Sequence, residues 1–195
     1  MISINFKIGR SMSNENQVSQ QFINKLRAGV LGANDGIVST ASIVVGVAGA
    51  TSSIEAIAIS GLAAVIGGAI SMALGEYVSV ASQRDAEKSY MESNSIVDDE
   101  EDFSSPIAAA VASFFSFLIG SMLPLIAILF SPESSRFVIT CIATVISLSI
   151  TGAISAKLAN ASIPRSVTRL VVGGILALSI TYGIGAYVAT LGVIT

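Results

Sequence analysis

GLAAVIGGAISMALGEYVSVASQRD, residues 61–85, decides the fold. With the residues before it, it forms an apolar run from Ile54 to Val80 that carries only Glu55 and Glu76 as charges. That run is longer than the roughly 18 residues needed to cross the hydrocarbon core of a bilayer as a helix. A matching stretch precedes it: LRAGVLGANDGIVSTASIVVGVAGA, residues 26–50, in which Asp35 is the one charge beyond Arg27. Working outward, further apolar runs span Pro106–Phe130, Phe137–Leu158 and Ser166–Leu191. The expected fold is an all-α integral membrane protein with five transmembrane helices, at about Ala28–Ala50, Ile54–Val80 and these three.

The composition agrees. Of 195 residues, 52% are hydrophobic and 12% charged, and the mean hydropathy is +0.78, which leaves too little polar surface for a water-soluble globule of this size. Residues 1–26 are polar and lack the apolar core of a signal peptide, so they are expected to be a partly disordered cytoplasmic tail before a five-helix transmembrane domain, residues 27–195. The first span then serves as its own signal.

Five spans put the two termini on opposite sides. Lys7, Arg10, Lys25, Arg27, Arg84, Lys88, Lys157, Arg165 and Arg169 all fall on one side, with Arg136 alone on the other. The excess of Lys and Arg on cytoplasmic loops gives a cytoplasmic N-terminus and an external or lumenal C-terminus. The 81–105 connection is therefore cytoplasmic, and it carries the acidic run Asp98, Asp99, Glu100, Glu101 and Asp102. A solvated charge block explains that run, and a cation-attracting antechamber is the alternative.

Asp35 and Glu76 are the carboxylates deep inside apolar sequence, where a charge costs about 2.5–3.5 kcal/mol and so faces a cavity, a partner or an ion path. Each lies eight residues from a basic border residue, Arg27 or Arg84, which at 1.5 Å per residue is about 12 Å and predicts a shared depth on antiparallel helices. Met72 stacks one turn from Glu76. Carboxylate oxygens suit hard divalent cations, and a thioether shifts preference toward Fe(II), so the trio reads as a site for Fe(II) or Mn(II). Neighbouring carboxylates also take up protons that metal binding displaces, the minimum for proton–metal exchange. Gly32 and Gly36, and Ser71 and Gly75, form small faces that allow close helix packing. Ser52-x-x-Glu55 reads as a capping box opening the second span, and Glu133 and Arg136 as solvated residues of a short external loop.

These residues resemble the vacuolar iron transporter family, which includes the yeast vacuolar iron and manganese transporter and nodulin-21-like plant proteins. GANDG and SMALGEY are the most specific matches, and SPIAAAVASFFSFLIGSMLPLIAILF and PRSVTRLVVGGILALSITYGIG extend the likeness to about Leu26–Gly192. The resemblance implies a homodimer of five-helix subunits moving divalent iron or manganese out of the cytosol in exchange for protons, along a path at the dimer interface. It carries transport roles onto Asp35, Met72 and Glu76. Fuller members insert a Glu-rich helical domain between the second and third spans. Residues 81–105 are too few for one, so the chain resembles the short, nodulin-21-like or bacterial form. Glu87 and Glu92, on an extension of the second helix, are the closest candidates for cytoplasmic ligands.

Two other readings stand beside this one: a proton exchanger for organic cations, which would want aromatic walls where only Tyr77 is near, and a non-transporting assembly or regulatory protein. The chain has no histidine and one cysteine, Cys141, read as a small buried hydrophobe. No nucleophile–base pair is therefore in view, and no enzymatic activity is expected. A net charge of −3 with basic residues confined to the membrane borders speaks against nucleic-acid binding. The partners expected are metal ions, protons, lipid and a second copy. No cofactor is expected beyond the metal as cargo. The reading favours a bacterial inner membrane, with a vacuolar membrane sharing the same topology.

Overall fold

The computed structural model describes the backbone of residues 2–94 and 105–192 and, within them, the side chains from residue 26 onward. Five helices follow in order: α1 (Ile2–Ala50), α2 (Ile54–Ser93), α3 (Pro106–Phe130), α4 (Arg136–Leu158) and α5 (Ile163–Thr190). Each contains a stretch long and apolar enough to cross a membrane, and the chain is a multi-pass membrane protein. The acidic run 98–102 lies outside the described residues.

The outer surface is what lipid requires. Ile59, Ile119 and Phe130 are 69%, 73% and 84% exposed, a pattern that water would not tolerate around a whole bundle. Inside, Ala41, Val44 and Val45 of α1 meet Ile57 and Val65 of α2, Leu125 and Ile128 of α3 and Leu178 of α5. Cys141 is a free thiol, half-buried against this core.

Helix α1 is the hub and contacts each of the other four helices. Its glycines explain how. A Cβ at Gly36 would overlap the Phe117 carbonyl, and one at Gly120 would overlap the Ala33 carbonyl, so α1 and α3 touch backbone to backbone through reciprocal glycines. A Cβ at Gly32 would stand 2.7 Å from the Ser113 carbonyl oxygen, extending the seam by a turn. Ser121 Oγ donates to the Gly36 carbonyl oxygen at 3.2 Å across it. The same device joins α1 to α5, where Gly185 lies against the Gly46 carbonyl.

Four sequence expectations change here. The segment before the first span is helical rather than irregular, because α1 runs unbroken from Ile2. Residues 1–26 hold no proline and only Gly9 as a strong helix breaker, so a helix nucleated by the span propagates backwards. The cap of α2 is shifted by one residue. Ser53, with φ −62° and ψ 115°, accepts from the Ala56 N–H at 3.2 Å, and its hydroxyl donates to Glu55 at 2.8 Å. The Ser52 carbonyl instead accepts from Arg136 Nη1 at 3.4 Å, so Arg136 is half-buried and ties the α1–α2 turn to the start of α4 rather than standing free in solvent. The fourth change, in the relative depth of the two carboxylates, belongs to the site itself.

Helix α4 closes on Asn160, whose φ of 49° is the left-handed conformation asparagine accepts at a helix end, with Ala161 N–H bonded to the Ala156 carbonyl at 2.8 Å. This turn starts α5 only five residues after α4 ends.

Candidate functional site

The seam with α3 uses the glycine face of α1, which leaves Asp35 on the side turned toward α2. There α1 and α2 enclose an open cleft of about 480 Å³. Asp35, Ser39, Ser71, Met72 and Glu76 line it, with Phe117 of α3 as its apolar floor beneath Gly68. Asp35 is half-buried and its Oδ1 accepts from Ser39 Oγ at 2.7 Å, one turn along the same helix. Glu76 is 7% exposed. Its Oε1 has no hydrogen-bond partner and sits 3.7 Å from Nη2 of Arg27. Met72 is half-buried between them.

The three residues expected to act together thus share one cleft. They do not share one depth. Counted from the α1–α2 turn at 1.5 Å per residue, Asp35 lies about 22 Å along α1, while Met72 and Glu76 lie about 27 and 33 Å along α2. The offset between the carboxylates is about 10 Å, with Met72 between them. Counting from the basic borders misleads because Arg27 is level with Glu76, and α2 runs on for another two turns before reaching Arg84. The result is a ladder of donors along the cleft rather than a ring.

Glu87 and Glu92 are on α2, as expected of an extended second helix, but about 16 and 24 Å beyond Glu76 along it, and they do not line the cleft. Glu87 is held by Gln83 Nε2 at 2.9 Å, and Glu92 is exposed. Among the described residues, no three His, Cys, Asp or Glu side chains converge on a point that could hold a metal ion. The cleft of this chain offers two separated carboxylates, a thioether and two hydroxyls.

Sequence reasoning missed one member of this cleft, Ser39, and one partner of its acids, Arg27. Ser39 stands four residues after Asp35, a spacing at which helix neighbours meet, and could have been found by that signal. Arg27 reads only as a border residue until the hairpin fixes which residue of α2 lies opposite it.

A second groove of about 480 Å³, between α1, α3 and α4, holds no titratable group; Leu26, Ile119, Leu123, Ile150 and Ile154 line it. It has the chemistry of a lipid-facing surface, not of an ion path.

The outer edge of the cleft is open. Ala63, Gly67, Ser71, Gly75 and Ser79 recur every four residues along α2 and all are exposed. A Cβ at Gly67 or Gly75 would meet nothing within 4 Å.

Compared with known proteins, residues 26–96 and 89–186 match the model of the VIT family. The chain is 41% identical over 168 residues to vacuolar iron transporter homolog 2 of Arabidopsis thaliana, covering 86% of each protein. It is 45% identical over 166 residues to vacuolar iron transporter homolog 1 of Oryza sativa subsp. japonica, covering 82% of this chain and 72% of that relative. Homolog 5 of the same rice is 42% identical over 164 residues.

Proposed function

This chain belongs to the VIT family, and from that premise we propose that it carries divalent iron, manganese or both across the membrane and out of the cytosol. The observation that carries the reading is the cleft: Asp35, Met72 and Glu76 are set along one open groove, with the Ser39 and Ser71 hydroxyls beside them. Carboxylate, thioether and hydroxyl donors in file suit an ion that passes from ligand to ligand. The metal is cargo and the protein needs no resident cofactor.

Transport is coupled to protons. A carboxylate oxygen that ligates a metal cannot hold a proton at the same time, so metal and protons compete for the same oxygens along the cleft. Arg27, Arg84, Lys88, Lys157, Arg165 and Arg169 lie at one end of the bundle, which orients that end and the N-terminus to the cytoplasm. Either a bacterial inner membrane or a vacuolar membrane fits this orientation.

The working unit is a homodimer joined along α2. Two carboxylates do not fill an octahedral ion's shell, and a second copy doubles the donors around one route. The exposed small residues from Ala63 to Ser79 allow that approach, since without a hydrophobic drive between helices in lipid, close backbone contact supplies the association energy. With Cys141→Ser as background, Gly75→Cys is expected to form a disulfide-linked dimer under mild oxidation, while Gly173→Cys, on the open face of α5, stays monomeric on denaturing gels. Equal cross-linking at both positions would count against α2 as the seam.

The deciding experiment is flux into proteoliposomes under an imposed pH gradient, with Fe(II), Mn(II), Zn(II) and Ca(II) side by side. Uptake of Fe(II) or Mn(II) that collapses when the gradient is dissipated is the expected result. No flux with any cation would overturn the transporter reading in favour of a non-transporting assembly protein.

A further inference from the structure

Arg27 and Glu76 are unequal partners. The arginine side chain is 57% exposed and the glutamate side chain 8%, and the 3.7 Å contact between them leaves Glu76 Oε1 without a hydrogen bond. The buried charge is therefore balanced by a guanidinium that is not locked in place. More than half of that group is uncovered by protein, so no packing holds it against Glu76. Of the three donors along the ladder, Glu76 is nearest the basic end of the bundle, and Arg27 stands at that end of the cleft. A cation arriving from there reaches Glu76 beside Arg27.

We propose that Arg27 is the internal counter-cation of the empty site: it holds Glu76 while no metal is bound and is displaced by the incoming divalent ion. This rests on the reading of Glu76 as a metal ligand. The consequence is selectivity by charge. A monovalent ion offers Glu76 no more charge than the guanidinium already does and does not displace it. A divalent ion brings twice the charge and gains Met72, one turn along α2 from Glu76, as a further donor. The cost is apparent affinity, because only the fraction of sites with Arg27 swung away is open to metal.

The test is Mn(II) binding to the purified full-length protein, followed by electron paramagnetic resonance at mildly alkaline pH, so that protons do not replace the missing cation. In low salt, Arg27→Gln is expected to bind Mn(II) on the order of fivefold more tightly than wild type. Raising potassium to about 0.1 M should erase most of that gain, because potassium now reaches Glu76, beyond the general screening felt equally by wild type. Arg27→Lys should keep the wild-type pattern. A merely structural ion pair would give weaker binding in Arg27→Gln and no new potassium sensitivity.

Unmodified protein supplies a readout that does not depend on a variant folding. Labelling of Arg27 by phenylglyoxal, read by peptide mass spectrometry, should rise when Mn(II) saturates the site. Wild-type Mn(II) binding with neither a gain in Arg27→Gln nor a rise in labelling would overturn the proposal and leave the metal-site reading intact. Mn(II) binding that is unchanged in Glu76→Gln would overturn the metal-site reading itself, and this proposal with it.

Discussion

Glu76→Gln is expected to reduce Fe(II) or Mn(II) flux by more than about a hundredfold, since loss of groups that merely orient a metal ligand already costs roughly 10–100-fold. Glutamine keeps the shape of the side chain and removes only its charge. The change removes Arg27's partner, but more than half of that side chain is uncovered by protein, so the fold should lose less than about 1 kcal/mol. Asp35→Asn should do the same to transport, because asparagine can still accept from Ser39 and preserves the local geometry while deleting the anion. Flux measured against protein amount, with monodispersity checked by gel filtration, separates lost transport from lost protein. If both variants carry metal at the wild-type rate, the cleft is not the path.

The second large effect is structural. Gly36→Ala places a methyl group where the Phe117 backbone already is, and neither partner is a flexible side-chain tip that could move aside. Overpacking of this kind costs typically 1–3 kcal/mol. For a chain of this size that lowers the thermal midpoint by roughly 2–12 °C. Gly120→Ala should match it, since it meets the Ala33 carbonyl from the opposite side. Gly173→Ala, facing open space, should leave the midpoint unchanged or raise it slightly, because alanine is the better helix former. Thermal scans in detergent decide this, and equal midpoints for Gly36→Ala and Gly173→Ala would show that the α1–α3 seam is looser than described.

The five spans were readable because crossing lipid demands a minimum apolar length, and that demand is written in consecutive residues. So were the two buried acids, since a charge in such a run stands out without any knowledge of packing. What the chain does not display is which residue lies opposite which. The expectation of a common depth rested on Arg27 and Arg84 marking one plane. Yet α2 continues about two turns past the level of Arg27, and only the three-residue turn at Thr51–Ser53 sets the true register. The Ser53 cap was missed by one position for a related reason: Ser52 and Ser53 are chemically alike, and the backbone of the turn chooses between them. Gly32 and Gly36 could be recognised as packing residues, whereas their partner, the α3 backbone, could not.

Because α1 contacts every other helix and is locked to α3 and α5 through backbone contacts, any displacement of it would break several seams together. Helix α2 is held chiefly by α1 and α3, and its outer small-residue face is open. In mechanical terms, Asp35 is mounted on the frame, while Met72 and Glu76 are mounted on its hairpin partner, and the three-residue turn between α1 and α2 fixes their spacing along the cleft. A change in that turn would shift the two acids relative to each other without touching either of them.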